Sequence, residues 1–185
     1  MQLLSEQWVI HILRSGRCTI HAENLERSDA LYWASRDGHE TVVIHLLAGL
    51  NVNINGRKTG GKVPLIGAVE GGYETIARLL VNGGADVNTQ GGPHGNALQE
   101  ASQNGSKDIV KLLLDRGAEV NAQGGLYSNA LQAASRYGYK DIIKLLLDRG
   151  AEVNTQGGPY GNALQAARIG HEPGIESLLI ARGAI

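Results

Sequence analysis

The chain has 185 residues, with 17 basic and 18 acidic side chains and a formal net charge of -1. The length fits one domain, and the charge balance excludes a protein that is held on nucleic acid or on an anionic membrane by net positive charge. We therefore expect neither nucleic acid nor a membrane as a partner. Glycine is unusually frequent, with 26 residues, and phenylalanine is absent, so the core must be built from aliphatic side chains.

The N-terminal segment carries no targeting or redox motif. Cys18 has no second cysteine to pair with and matches no metal-ligand spacing. The apolar stretch from Trp8 to Leu13 is too short for a signal-peptide core or a membrane span. These features predict an intracellular protein, in the cytoplasm or alternatively in the nucleus.

An internal repeat with a constant period organises the chain. The sequence Asn-Ala-Leu-Gln begins at Asn96 and recurs at Asn129 and at Asn162, and the interval between these asparagines defines the period. The surplus glycines follow the same period and therefore punctuate the repeats. One set is Gly84, Gly117, Gly150 and Gly183, and a second set is Gly72, Gly105 and Gly138.

In chain order, the pattern predicts an all-α domain of helix pairs. Residues 1–28 are expected to form an N-terminal half repeat, because Trp8 to Gly16 resembles a lone second helix. The rest, 29–185, is expected to be one continuous domain of five repeats. Their ranges are about 29–53, 63–88, 96–121, 129–154 and 162–185.

The sequence of each repeat predicts two short helices and a turn. Asn129 suits the N-cap of a first helix that ends before Gly138. A second helix is expected from Asp141 to Arg149, with Leu145 in its core, and Gly150 supplies a left-handed C-terminal residue. The glycine-rich segment that follows predicts a hairpin.

Two antiparallel helices and a hairpin, recurring at this period, resemble the ankyrin repeat. The stretch from Ile109 to Asn121 is similar to the second helix of that family. The usual Thr-Pro-Leu-His opening is replaced by Asn-Ala-Leu-Gln, in which Asn can still cap and Gln can still bond to backbone. The variant resembles ankyrin arrays of filamentous fungi, often the C-terminal parts of multidomain receptors. The resemblance implies an ankyrin-repeat solenoid that binds a protein partner in its concave groove, without catalysis and without a cofactor.

The search for catalytic or metal-binding residues agrees with this interpretation. The glycine pairs are not followed by the Lys-Ser or Lys-Thr of a phosphate loop, and no two histidines share a helix face at ligand spacing. His45 takes a position that is leucine in the other repeats, including Leu79 and Leu145. Because a buried histidine needs a hydrogen-bond partner, we expect a locally rotated second helix there.

The candidate partner-binding residues are those that differ between near-identical repeats at the end of the first helix. Tyr127 and Tyr160, with His94, recur in the hairpins, and stacked repeats would set their rings in a row. Such a row is equally consistent with two roles, which are the recognition of a partner and the packing of neighbouring hairpins on each other. The full set comprises Trp33, Arg36, Asp37, Glu70, Gln103, Asn104, Tyr127, Arg136, Tyr137 and Tyr160.

Two alternative functions remain open from the sequence. A groove near Trp33, Glu70, Glu100 and Arg136 could bind a small molecule or carry out catalysis. Near-identical consecutive repeats also suit a spacer array within a larger receptor.

The last repeat is expected to be irregular. We expect it to lose one residue before Gly170 and to gain one before its second helix. Apolar residues from Leu178 to Ile180 predict self-association through this repeat. The same residues favour the interpretation that this chain is a piece of a longer array. The alternative is that the last helix is polar enough to face water at the end of the array.

Overall fold

The computed structural model describes residues 25–49, 52–57 and 61–185. Most of the predicted half repeat, with Cys18, lies outside these residues. The described part contains ten α-helices, and its one β-bridge pairs Gly157 with Gly161. In chain order the helices are α1 Leu25–Arg36, α2 Glu40–Gly49, α3 Pro64–Glu70, α4 Glu74–Asn82, α5 Ala97–Gln103, α6 Lys107–Asp115, α7 Ala130–Arg136, α8 Lys140–Asp148, α9 Ala163–Gly170 and α10 Pro173–Ala181. The all-α class of helix-turn-helix repeats is therefore confirmed.

The chain divides into two units, the first ending at Asp86 and the second starting at Val87. In the first unit, α1 packs against α2 and α3, and α4 packs against α2 and α3. In the second unit, α7 lies between α5 and α9, and each first helix packs on the second helix of its own repeat. Helix α7 thus contacts a first helix on each side, and its alanines allow this close packing.

The predicted N-caps are present. The side chains of Asn96, Asn129 and Asn162 accept hydrogen bonds from the backbone N–H three residues later, at 2.8–3.0 Å. Each satisfies one of the amide groups that the first turn leaves without a helical partner. α3 begins differently, because Val63 gives no side-chain cap and Pro64 occupies the first turn. Proline is suited to that position because the first turn needs no donor from it.

The left-handed residue predicted at Gly150 is present, with a φ of +90°, and another left-handed helix end corrects the expected irregularity of the last repeat. Gly138 has a φ of +73°, and His171, one period later, has a φ of +58°. Helix α9 runs to Gly170, and α10 begins one full period after α8. The expected loss and gain of a residue is therefore wrong, because a histidine simply occupies the left-handed glycine position.

The second helices also correct the expected core. Leu146 and Ile143 of α8 are buried, whereas Leu145 is only half-buried. A continuous apolar run covers more of the helix than its neighbours can cover, and Leu145 lies at the edge of the buried face. His45 in α2 is half-buried in the same way as Leu79 in α4. The rotated helix that we expected at His45 is therefore unnecessary, because this position does not demand a fully buried side chain.

Two buried glutamines, Gln99 and Gln132, fasten the first helices α5 and α7 to the next hairpin. The Gln99 Nε2 group lies 2.9–3.1 Å from the carbonyl oxygens of Ala122, Gly124 and Ser128. Its Oε1 accepts the backbone N–H of Asn96 at 2.8 Å. The expectation that glutamine would bond to backbone is confirmed, and one side chain fixes both the helix start and the following hairpin.

Four asparagines, exposed or half-buried, connect each repeat with the next. Each amide donates to a glycine carbonyl 29 residues later and accepts a backbone N–H 31 residues later. For Asn121 these partners are Gly150, at 3.0 Å, and Glu152, at 2.9 Å. The four asparagines are Asn55, Asn88, Asn121 and Asn154.

Candidate partner-binding site

The second unit contains the predicted row of hairpin rings. His94 stacks on Tyr127 with ring centroids 6.0 Å apart, and Tyr127 stacks on Tyr160 with centroids 5.8 Å apart. The hairpins approach so closely that a Cβ at Gly125 would collide with the backbone of His94. Gly125 also has a φ of +61°, which glycine adopts without strain. The ring row therefore depends on glycine in the hairpin.

Tyr127 forms the buried floor of this region. Its side chain is only 6% exposed, and its hydroxyl oxygen lies 2.7 Å from that of Tyr137 in a shared hydrogen bond. Burial, and then this hydrogen bond, raise the pKa of Tyr127 above its usual value. Tyr127 also holds the Tyr137 ring edge-on, with centroids 5.9 Å apart.

Arg136 lies against two of these rings. The central guanidinium carbon is 5.7 Å from the Tyr137 centroid and 5.9 Å from the Tyr160 centroid, within the range of cation–π attraction. Tyr137 is 42% exposed, and Tyr139 stacks on it at 6.1 Å. We call the five residues Tyr127, Arg136, Tyr137, Tyr139 and Tyr160 the aromatic–arginine cluster.

Gln103 and Asn104 lie at the end of α5 in a separate polar group. The exposed Asn104 amide donates to Glu100 Oε1 at 3.3 Å, and the Glu100 residue is only 5% exposed. Gln103 is half-buried. These residues present hydrogen-bonding groups rather than aromatic area.

The first unit has its own aromatic–cation pair. The Arg36 guanidinium lies 5.1 Å from the Trp33 ring centroid, and Trp33 is 40% exposed. The Tyr32 hydroxyl donates to Glu70 at 2.9 Å, and Glu70 also forms an ion pair with Lys62. Burial, and then the contact with Glu70, raise the pKa of Tyr32. Asp37 is exposed beside this group.

The ten candidate residues thus fall into groups within the two units, and three further residues join them. Sequence reasoning did not identify Tyr32, Lys62 or Tyr139. Tyr32 stands where Gln99 stands in a later repeat, so its departure from the motif was the available indication. Tyr139 likewise stands where the preceding repeat has Ser106, and this difference between repeats was the available indication.

The residues of the alternative small-molecule groove are divided between the units. Trp33 and Glu70 belong to the first unit, and Glu100 and Arg136 belong to the second. Glu70 and Glu100 already bond to neighbouring side chains, which gives them structural roles. Across residues 25–49, 52–57 and 61–185, no three or more histidine, cysteine or acidic side chains gather as metal ligands would. Nor does this part of the chain hold a helix that combines the length and apolarity needed to cross a membrane.

Comparison with known proteins places the chain in a family. A family model for ankyrin repeats in three copies matches residues 4–91, 31–124 and 91–157. The ankyrin repeat and KH domain-containing protein mask-1 of Caenorhabditis elegans is 40% identical over 62 residues, which is 34% of this chain. The chain matches only 2% of the length of that relative. Ankyrin repeats are generally protein–protein interaction modules and are typically non-enzymatic. The chain belongs to the ankyrin repeat family.

Proposed function

We propose that this chain is a non-catalytic module that binds a protein partner, and that the aromatic–arginine cluster is its main contact surface. The observation that carries the proposal is the position of Arg136 against the partly exposed rings of Tyr137 and Tyr160. Arginine and tyrosine are among the residue types that contribute most to interface energies.

The packing of the cluster supports this proposal. Tyr127 holds Tyr137 through its hydroxyl, and Tyr139 stacks on the same ring. Side chains that are fixed before binding lose less conformational entropy when a partner arrives. Tyr127 of the hairpin row thus has a packing role and supports the surface. Tyr137 and Arg136 would make the contacts with the partner.

The other candidate residues are assigned to the same function as secondary contacts. Trp33 with Arg36 offers a second partly exposed aromatic–cation pair in the first unit. Asp37 and Glu70 lie beside that pair, and Gln103 and Asn104 would add hydrogen bonds in the second unit.

The test is a quantitative comparison of variants with an identified partner. The purified chain is used to capture partners from its own host's lysate, and a captured protein is identified and produced in pure form. Its affinity is then measured by calorimetry for the wild type and for the double variant Arg136→Ala/Tyr137→Ala. We expect the double change to weaken binding at least about tenfold, or roughly 1.4 kcal/mol.

A matched control removes surface charge elsewhere in the second unit. Lys111 and Lys144 are exposed on the second helices α6 and α8, and the variant Lys111→Ala/Lys144→Ala should bind the partner like the wild type. If the lysine pair weakens binding and the Arg136/Tyr137 pair does not, the assignment of the contact surface is wrong.

A further inference from the structure

We propose that the cluster recognises a segment of its partner through one aspartate or glutamate, whose carboxylate binds the Arg136 guanidinium. The proposal rests on the proposed function and deepens it, because it specifies the chemistry of the partner. It follows from the charge, the burial and the unused hydrogen-bonding capacity of Arg136.

In the part of the chain that the structure describes, Arg136 has no counterion, unlike three other arginines of the second unit, and Arg116, which also forms no ion pair, is exposed to water. In the second unit, Arg149 pairs with Asp115 at 2.9 Å, and Arg168 pairs with Glu176 at 3.2 Å. Within the described residues of the chain, no carboxylate lies within ion-pair distance of Arg136. Its contacts are instead with the tyrosine rings. The charge is therefore uncompensated at this position.

Arg136 is also partly removed from water. The residue is half-buried, and its Nε atom is enclosed with no acceptor in the described structure. A half-buried cation gains more from an added anion than a fully hydrated one does, because the surrounding dielectric is lower. A partner carboxylate at the terminal Nη groups would compensate the guanidinium charge, and the adjacent Tyr137 ring would accept a flanking apolar side chain.

The geometry of the guanidinium favours a carboxylate as the anion. Ring contacts engage the faces of the planar group, whereas its N–H groups donate within the plane and match the two oxygens of a carboxylate. Sites for phosphorylated segments usually gather several arginines. Here one arginine lacks a counterion, and Arg168 is already paired with Glu176. A single side-chain carboxylate therefore fits the charge of the cluster best.

The test uses defined peptides and a direct spectroscopic reading of Arg136. The probe is the N-acetylated, C-amidated peptide Gly-Leu-Glu-Leu-Gly, and its control carries Gln in place of Glu. Each is titrated to millimolar concentration into the isotopically labelled chain, and the Nε–H resonance of Arg136 is followed. We expect a saturable shift with the Glu peptide and at least about tenfold weaker binding of the Gln peptide, since hydrogen bonds to charged groups are the stronger class.

Variants make the result specific to Arg136. Arg136→Gln should abolish the difference between the two peptides, and Arg136→Lys should weaken the Glu peptide because the planar fork is lost. Arg116 is an exposed arginine outside the cluster, and Arg116→Gln should leave binding unchanged. The amide spectrum of each variant shows directly that it is folded.

Failure of this inference can be told apart from failure of the proposed function. Equal binding of the two peptides, no saturable shift with the Glu peptide, or full binding by Arg136→Gln would overturn carboxylate recognition. If the identified partner still loses affinity with Arg136→Ala/Tyr137→Ala, the contact surface stands and only its chemistry is wrong. If that double variant binds the partner normally, the proposed surface itself is wrong.

Discussion

Replacement of Gln99 by glutamate tests the connection between a first helix and the next hairpin. The Gln99 Nε2 group faces the carbonyl oxygens of Ala122, Gly124 and Ser128 at 2.9–3.1 Å. In Gln99→Glu an oxygen replaces this donor, so an anionic oxygen faces the buried Ser128 carbonyl and the half-buried carbonyls of Ala122 and Gly124. The variant must leave these groups unsatisfied or take up a proton.

The expected loss of stability is large at neutral pH. Each buried polar group left without a partner costs about 1–3 kcal/mol, and the lost amide has two N–H groups, so we expect a loss of at least about 2 kcal/mol for the ionised form. Protonation restores one O–H donor, so burial and the facing carbonyls raise the pKa of the new glutamate in the folded state above its unfolded value of about 4.3. The stability carried by the protonated form is complete below the unfolded pKa. This stability is lost as the pH rises through the folded pKa. The total loss is about 1.4 kcal/mol for each unit by which the folded pKa exceeds the unfolded pKa.

The assay is urea unfolding followed by circular dichroism at pH 5 and at pH 8. We expect the difference in unfolding free energy between wild type and Gln99→Glu to be greater at pH 8 than at pH 5. Gln165 provides the matched control, because it occupies the same motif, is exposed, and uses its Oε1 to accept the N–H of Asn162. Gln165→Glu keeps that acceptor and should cost little at either pH. A pH-independent loss for Gln99→Glu, or equal losses for both variants, would refute the reasoning.

Three further predictions concern stability, each measured by urea unfolding. Leu146→Ala should cost about 2–5 kcal/mol and Leu145→Ala clearly less, since only the first side chain is fully buried; the reverse order would contradict the described register. Asn121→Ala should cost about 1–2 kcal/mol, because two hydrogen bonds between repeats are lost. Asn121→Asp should also be destabilising, because an oxygen would face the Gly150 carbonyl. An unchanged urea midpoint for both variants would exclude a stabilising role for Asn121. His171→Gly should raise stability by about 0.5–1 kcal/mol, because histidine there has a left-handed backbone, and a loss would show that its side chain stabilises the helix end.

Local structure could be predicted from the sequence because its causes are local and recur in every repeat. Asn129 caps a helix through a backbone group three residues away, and Gly138 takes a φ that few other residues adopt readily. The hairpin row from His94 to Tyr160 also follows from the period, since stacked repeats bring equivalent positions together. The binding role of these residues stays a prediction, as do the repeat ranges, the location in the cell and the self-association. Leu179 is buried, however, and among residues 178–180 it is Ile180 that is largely exposed.

The remaining contacts depend on packing between repeats that no local pattern specifies. Arg136 reaches the ring of Tyr160 in the next hairpin, and Tyr32 reaches Glu70 in the next repeat. The exposure of Leu145 could not be predicted either, because a run of apolar residues does not mark which face of a helix is covered. Such features are set by the spacing and rotation of neighbouring helices, and they appear only in the assembled fold.

The most direct test of the central claim is a cross-saturation NMR experiment on the labelled chain in complex with its identified partner. Saturation of the partner's protons should reduce the backbone amide signals of Arg136, Tyr137 and Tyr160, and should spare those of Lys111 and Lys144. Loss of signal at the two lysines, with the cluster unaffected, would contradict the proposal that the aromatic–arginine cluster binds the partner.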